Sequence, residues 1–180
     1  MSIISPSDKV WWHEPIEKTE LIWISIVFVW GVFMTFMMPY WHVVGDQNLP
    51  NETYRVTPEQ YMAKAQSVVD QFTVGEYGPQ KIPKVKPPAG SDVYLVARLW
   101  SWWPVLVLEK GQSYRVHLSS LDWQHGFSLQ PANINIQVVP DYEYVVTLTP
   151  DETGEYSIVC NEYCGIGHHL MLGKLIVVDK

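Results

Sequence analysis

Positive charge is scarce in this sequence. Twelve lysines and arginines stand against 19 acidic residues, the formal net charge is −7, and no long basic run occurs. A nucleic-acid role therefore has no electrostatic support, and any partner steered by charge would be cationic. Cysteine is scarcer still: there are two in 180 residues, both inside the stretch 157–175. Internal repeats and low-complexity tracts are missing, and no A-x-A cleavage site follows the single long apolar run. What is present is a 47% hydrophobic, 13% aromatic chain, which excludes disorder and leaves room for one sizeable core plus something extra.

The something extra is Leu21 to Trp41, LIWISIVFVWGVFMTFMMPYW, which carries no charged side chain. As a helix it would span about 31 Å, the thickness of a bilayer's hydrocarbon core. A small soluble domain cannot easily cover a helix that is apolar all round. Trp23, Tyr40 and Trp41 sit near its ends, where amphipathic rings favour the interface. The run is too long for a secretory signal, and the residues before it are net acidic, so the reading is an uncleaved anchor in a lipid bilayer. Lys9 and Lys18 precede the span and Arg55 follows it, which places the N-terminal tail, residues 1–20, inside.

A connecting segment, 42–90, comes next. Its TPEQYMAKAQSVVDQF predicts an amphipathic helix at about 57–72, with Thr57 and Gln60 as a capping box, Pro58 in the first helical position, and Tyr61, Ala65, Val68 and Phe72 on one face. Simple packing against the following domain accounts for such a helix. Residues 73–90 carry four prolines and three glycines and read as a linker or draped loop. From Ser91 the period changes to two: Tyr114, Val116 and Leu118 alternate with Arg115, His117 and Ser119. About seven short strands in about ninety positions predict an antiparallel sandwich or small barrel over 91–180.

The chemistry is concentrated in SIVCNEYCGIGHHLMLGKL. A Cys160–Cys164 disulfide gives no reason for His168 and Met171 to follow in step. Structural zinc rarely takes a thioether. A catalytic cysteine needs neither a second thiol nor a methionine in its loop. Thiolate, imidazole and thioether together select copper. A mononuclear blue site uses one cysteine, whereas a second thiolate gives each sulfur the chance to bridge two metals. A second imidazole would come from elsewhere, and His125 in LDWQHGFSL is the natural candidate, although a lone histidine beside Phe127 is more often structural.

In combination these residues resemble the dinuclear copper (CuA) domain of subunit II of heme-copper cytochrome c oxidases. The loop C-x-x-x-C-x-x-x-H-x-x-M is complete as Cys160, Cys164, His168 and Met171, and D-x-x-H-G-F as Asp122, His125, Gly126 and Phe127. NINIQVVP at 133–140 also resembles that family. The single span is similar to the short subunit II of B-type oxidases. The resemblance implies an all-β, cupredoxin-like Greek-key sandwich or barrel, preceded by one transmembrane helix and a short amphipathic helix. It implies two copper ions bridged by Cys160 and Cys164. His125 and His168 would each ligate one, and Met171 and the Glu162 backbone carbonyl would be weak axial ligands. His169 falls one place off the motif.

The resemblance further implies a relay that accepts electrons from cytochrome c and passes them to heme in a partner subunit I, where O2 is reduced. The domain would lie on the periplasmic side of the cell membrane. Two alternatives remain at this point: a small subunit of a nitric oxide reductase and a membrane-tethered cupredoxin carrier. Nitrous oxide reductase needs more than the six histidines present. In ARLWSWWPV, strand alternation places Trp100 and Trp102 on one face and Trp103 on the other, and a small sandwich has one inner face. An exposed Trp100 or Trp102 is thus the expected contact for cytochrome c and the point where electrons enter.

Overall fold

The computed structural model describes residues 15–45 and 50–180. Two compact units divide the chain, Met1–Asp46 and Gln47–Lys180. The first holds α1, Lys18–Val44, an almost unbroken series of Leu, Ile, Val, Phe, Trp and Met. The Glu17 amide donates to the Glu20 carboxylate at its start, and the Gly45 amide donates to the Trp41 carbonyl at its end. The hydroxyls of Ser25 and Thr35 donate to carbonyls one turn back, each at 2.7 Å, so the helix satisfies its own polar groups, as a hydrocarbon surrounding requires. None of its residues is buried, and it is long and apolar enough to cross a membrane. The expected span 21–41 lies within it. Of the expected N-terminal tail, residues 1–14 fall outside the described residues.

The second unit contains, in chain order, β1 (Glu52–Arg55), α2 (Pro58–Phe72), β2 (Thr73–Tyr77), β3 (Ile82–Val85), β4 (Asp92–Arg98), β5 (Ser101–Trp103), β6 (Val105–Glu109), β7 (Tyr114–Ser120), β8 (His125–Leu129), β9 (Ile134–Val138), β10 (Tyr142–Leu148), β11 (Gly154–Val159) and β12 (Leu172–Val178). One sheet runs β1-β10-β7-β4-β5 and the other β2-β3-β6-β12-β11-β8-β9. This is the cupredoxin-like sandwich that the resemblance implies. Leu95, Leu118, Phe127, Ile134, Ile158 and Leu175 are among the side chains that fill the space between the sheets.

Three expectations need correction. The sandwich is mixed rather than antiparallel, since β4–β7, β3–β6 and β6–β12 are parallel pairs. The cause is the winding: the chain crosses to the other sheet after β5 and returns with β7, which then runs beside β4 in the same direction. The supposed linker 73–90 forms the β2–β3 hairpin, turned by Gly78 (φ 68°) and Lys81 (φ 52°), and β1 pairs with β10, so the segment taken as a connection is built into the domain. Finally, the five-stranded sheet has two covered faces. Helix α2 lies over its outer face, where Tyr61, Ala65 and Val69 pack with Val96 and Trp103. Hence His117 and Ser119, which alternate with the inward residues of β7, are buried too, and the sheet does not have the one inner face expected.

Helix α2 follows its sequence closely. Thr57 Oγ1 accepts from the Gln60 amide and Gln60 Oε1 from the Thr57 amide, both at 3.3 Å, which closes the capping box. Of the expected face, Tyr61 and Ala65 are buried, Val68 and Phe72 are half-buried, and Val69 takes the remaining buried place. The Tyr61 hydroxyl lies 3.0 Å from the Leu95 carbonyl and 2.8 Å from that of His117, which pins the helix to β4 and β7. Tyr61→Phe should cost about 1 kcal/mol, the worth of one buried hydrogen bond. Tyr61→Ala should cost about 3–5 kcal/mol by emptying the contact. Denaturant titration of the detergent-solubilised chain measures both.

Candidate metal centre

Strand β11 pairs antiparallel with β8 in a register that sets Val159 opposite Ser128. The loop that leaves β11 therefore passes the start of β8, where His125 stands. The Asn161 amide donates to the Gly126 carbonyl at 3.3 Å, and the Asn161 side chain donates to Asn135 at 2.9 Å. At the neck of the loop the Cys160 amide donates to the Met171 carbonyl, and β12 begins at once. A turn of 3-10 helix, His168–Leu170, swings His168 back toward the cysteines.

These ties bring the donors together. Cys160 and Cys164 are free thiols with Sγ atoms 3.7 Å apart. His125 Nδ1 is 3.9 Å from Cys160 Sγ, and His168 Nδ1 is 3.7 Å from Cys164 Sγ. Met171 Sδ lies 3.7 Å from Cys164 Sγ, and the Cys160 thiol donates to the Glu162 carbonyl at 3.2 Å. His125 Nδ1 and the two sulfurs are all within 4.8 Å of one another. Each sulfur thus has one imidazole and one weaker donor beside it. His125, Cys160, Cys164 and Met171 are buried, and His168 and Glu162 are half-buried. His169 is an exposed neighbour.

The surroundings fit a bound ion. His125 Nε2 lies 2.8 Å from Asp122 Oδ1, which leaves Nδ1 free to face the sulfurs. Asp122 also accepts from the amides of Leu99 and Trp123. Partial burial works to raise the Asp122 carboxyl, but the bonds from His125, Leu99 and Trp123 outweigh it and hold it below the usual carboxylate range. Burial, with Cys160 beside it, pushes the Cys164 thiol up to about 11. A metal binding there must displace the proton. A side chain at Gly126 would strike Asn161 and come within 2.8 Å of the Glu162 amide, so the loop needs glycine to close on β8.

The tryptophans divide differently from the alternation reading. Trp100 stands in the turn between β4 and β5, outside the strand period, and is 41% exposed. Its indole N–H donates to the Cys164 carbonyl at 3.3 Å, and its ring lies on Gly167, where a Cβ would come within 2.6 Å of it. Trp102 is 1% exposed, set edge-on to His125 (6.4 Å) and Phe127 (5.5 Å). Trp103 is buried under α2, with Arg98 over its ring. Trp102 therefore has no surface for a partner to touch. Sequence reasoning passed over Trp123, which is 64% exposed two residues before His125. An aromatic in the histidine-bearing loop was the available signal.

Comparison with known proteins finds relatives among oxidase subunits. Over 116 residues it is 34% identical to cytochrome c oxidase subunit 2 of Thermus thermophilus, covering 62% of this chain and 86% of the relative. Over 77 residues it is 39% identical to heme-copper oxidase subunit 2 of Aeropyrum pernix, covering 42% of this chain and 33% of that one. A chain from the cryo-EM structure of a heme-copper terminal oxidase dimer shares the fold at 20% identity, with a TM-score of 0.52, covering 89% of this chain and 100% of that one. No family model matches.

The Asp122–His125 bond yields a direct test. Asp122→Ala should leave both sulfurs in place yet weaken copper binding about 10–100-fold, the usual effect of losing the group that orients a ligating imidazole. Competition with a copper chelator measures it.

Proposed function

The chain belongs to the cytochrome c oxidase subunit 2 family, and from that premise we propose that it is the electron-accepting subunit of a terminal heme-copper oxidase. It takes electrons from cytochrome c and delivers them toward heme in subunit I, where O2 is reduced to water. Helix α1 is its membrane anchor, and the sandwich stands on the periplasmic side.

The observation that carries this reading is the paired donor set: two sulfurs 3.7 Å apart, each with its own imidazole nitrogen. Soft thiolates with imidazole and thioether fit copper. Cys160, Cys164, His125 and His168 would be the strong donors that hold two copper ions, and Met171 and the Glu162 carbonyl the weak ones. Bound there, the copper pair supplies one-electron redox chemistry with the charge change spread over both metals. The chain's part is to fill every ligand position, which leaves no open place for substrate and makes the domain a relay. Burial of His125, Cys160, Cys164 and Met171 keeps water from the donors.

Where electrons enter, the proposal narrows to Trp100. It is exposed on one side and bonded to the Cys164 carbonyl on the other. Leu99 beside it in the turn, and Trp123, Tyr163, Ile166 and Leu170 on the loops that carry the donors, are also exposed. An apolar rim of this kind supports a donor that docks by burying apolar surface at the contact, with net charge acting only on the approach.

Metal analysis of the full chain in detergent should find two copper ions per chain, with an electron spin shared by two nuclei. One copper at full loading would overturn the dinuclear assignment. Cys164→Ser should hold at most one. Met171→Leu should keep both ions and shift their potential, because an axial thioether tunes a copper site more than it holds it.

Trp100→Ala should slow reduction by cytochrome c about tenfold, equivalent to about 1.4 kcal/mol in the barrier, with copper content unchanged. Stopped-flow reduction at several salt concentrations reads this. An unchanged rate would show that electrons enter elsewhere.

A further inference from the structure

Remote in sequence from the copper donors, the five-stranded sheet holds a second cluster of ionisable side chains that the proposed function leaves unused. Its centre is the His117 ring on β7, whose side chain is 4% exposed. Nδ1 meets the Glu143 carboxylate on β10, and Nε2 meets Asp92 on β4 at 3.2 Å. Glu143 is fully buried. The Tyr54 hydroxyl on β1 donates to the same Glu143 oxygen at 2.7 Å and lies 3.3 Å from Nδ1. The other Glu143 oxygen has no hydrogen-bond partner, and the Lys64 ammonium on α2 stands 3.8 Å from it. Arg115 on β7 reaches Asp92 at 3.3 Å and Glu52 on β1 at 2.9 Å. Tyr94 on β4 stacks on the imidazole at 4.6 Å, and Tyr61 on α2 sits on its backbone carbonyl.

Both nitrogens of this ring face carboxylate oxygens, and an ionised carboxylate can only accept a hydrogen bond. A ring that carries both protons satisfies both contacts at once. The charges agree. Glu52, Asp92 and Glu143 supply three negative charges, Lys64 and Arg115 two fixed positive ones, and the ring proton completes the balance. Without that proton a lone pair faces a carboxylate and the buried Glu143 loses its nearest counter-charge, a costly arrangement away from water.

What the cluster joins gives the balance a use. β1 is an edge strand with all four residues exposed, and among the strands it pairs with β10 alone. Its side chains Glu52 and Tyr54 enter the cluster, as do Tyr61 and Lys64 of α2. These two elements are the first of the domain to follow α1 in the chain.

We propose that His117 is a proton-operated latch: protonated, it fastens β1 and α2 to the five-stranded sheet, and on losing its proton it lets that segment loosen. Acid keeps the latch closed and alkali opens it. Between about pH 5.5 and about pH 9 histidine is the one residue type in the cluster that ordinarily changes charge, so the window isolates it from Glu52, Asp92, Glu143, Lys64, Arg115 and the tyrosines.

The test is hydrogen exchange, read by mass spectrometry, on the full copper-loaded chain in detergent at the two ends of that window and corrected for the intrinsic pH dependence of exchange. Peptides covering β1 and α2 should exchange about tenfold faster at the alkaline end, while the β11–β12 peptides stay unchanged. In His117→Gln they should exchange fast at both ends. Equal protection at both ends in the unaltered chain, or an undiminished pH effect in His117→Gln, would overturn the proposal. If His117→Gln does not fold, Asp92→Asn keeps the buried pair and removes the outer carboxylate, and the loosening should move to lower pH. An unmoved midpoint overturns the latch equally.

Discussion

The antiparallel pairing of β8 with β11 is the constraint on which the site depends. It decides that the chain leaving β11 passes His125 at the moment it presents Cys160, and the Asn161 to Gly126 hydrogen bond holds the two at that distance. A slip of one residue would turn every side chain to the opposite face of the sheet. Cys160 would then face away from His125, whatever the loop did. The donors are precise because they are hung from a ladder at each end, with β11 before the loop and β12 directly after it.

Crowding completes what pairing begins. The loop is pressed between two indoles, Trp100 lying on Gly167 from outside and Trp102 packed against Gly173 from within, where a Cβ would come 2.6 Å from that of Trp102. Together with Gly126 these glycines give up side chains so that the backbone can approach closely. The result is a set of donors with little freedom to move.

How much of this was legible depended on how local the cause was. Cys160, Cys164, His168 and Met171 lie in one loop, so their spacing carried the chemistry, and the capping box at Thr57 gave α2 to within a residue. The three strands before residue 86 were hidden. They are short, they are broken up by Pro83, Gly75 and Gly78, and β1 and β3 find partners in β10 and β6, far along the chain. Burial was legible only where one face is covered. Alternation along β7 and β5 is real, but it cannot reveal that α2 closes the second face, where His117 and Trp103 are buried. Trp100 escaped the strand period because it stands in the turn. The Asp122 role needed the folded loop, since its partners Leu99 and His125 lie on opposite sides of it in sequence.

That single carboxylate has one more consequence. By accepting from the Leu99 amide and from His125 together, Asp122 fastens the turn that displays Trp100 to the ring at the centre of the donor set. The turn that displays Trp100 and the interior that holds the donor set are therefore one heritable module. Substitutions in the turn and in the histidine loop should be epistatic, and moving either onto another sandwich would require transplanting both.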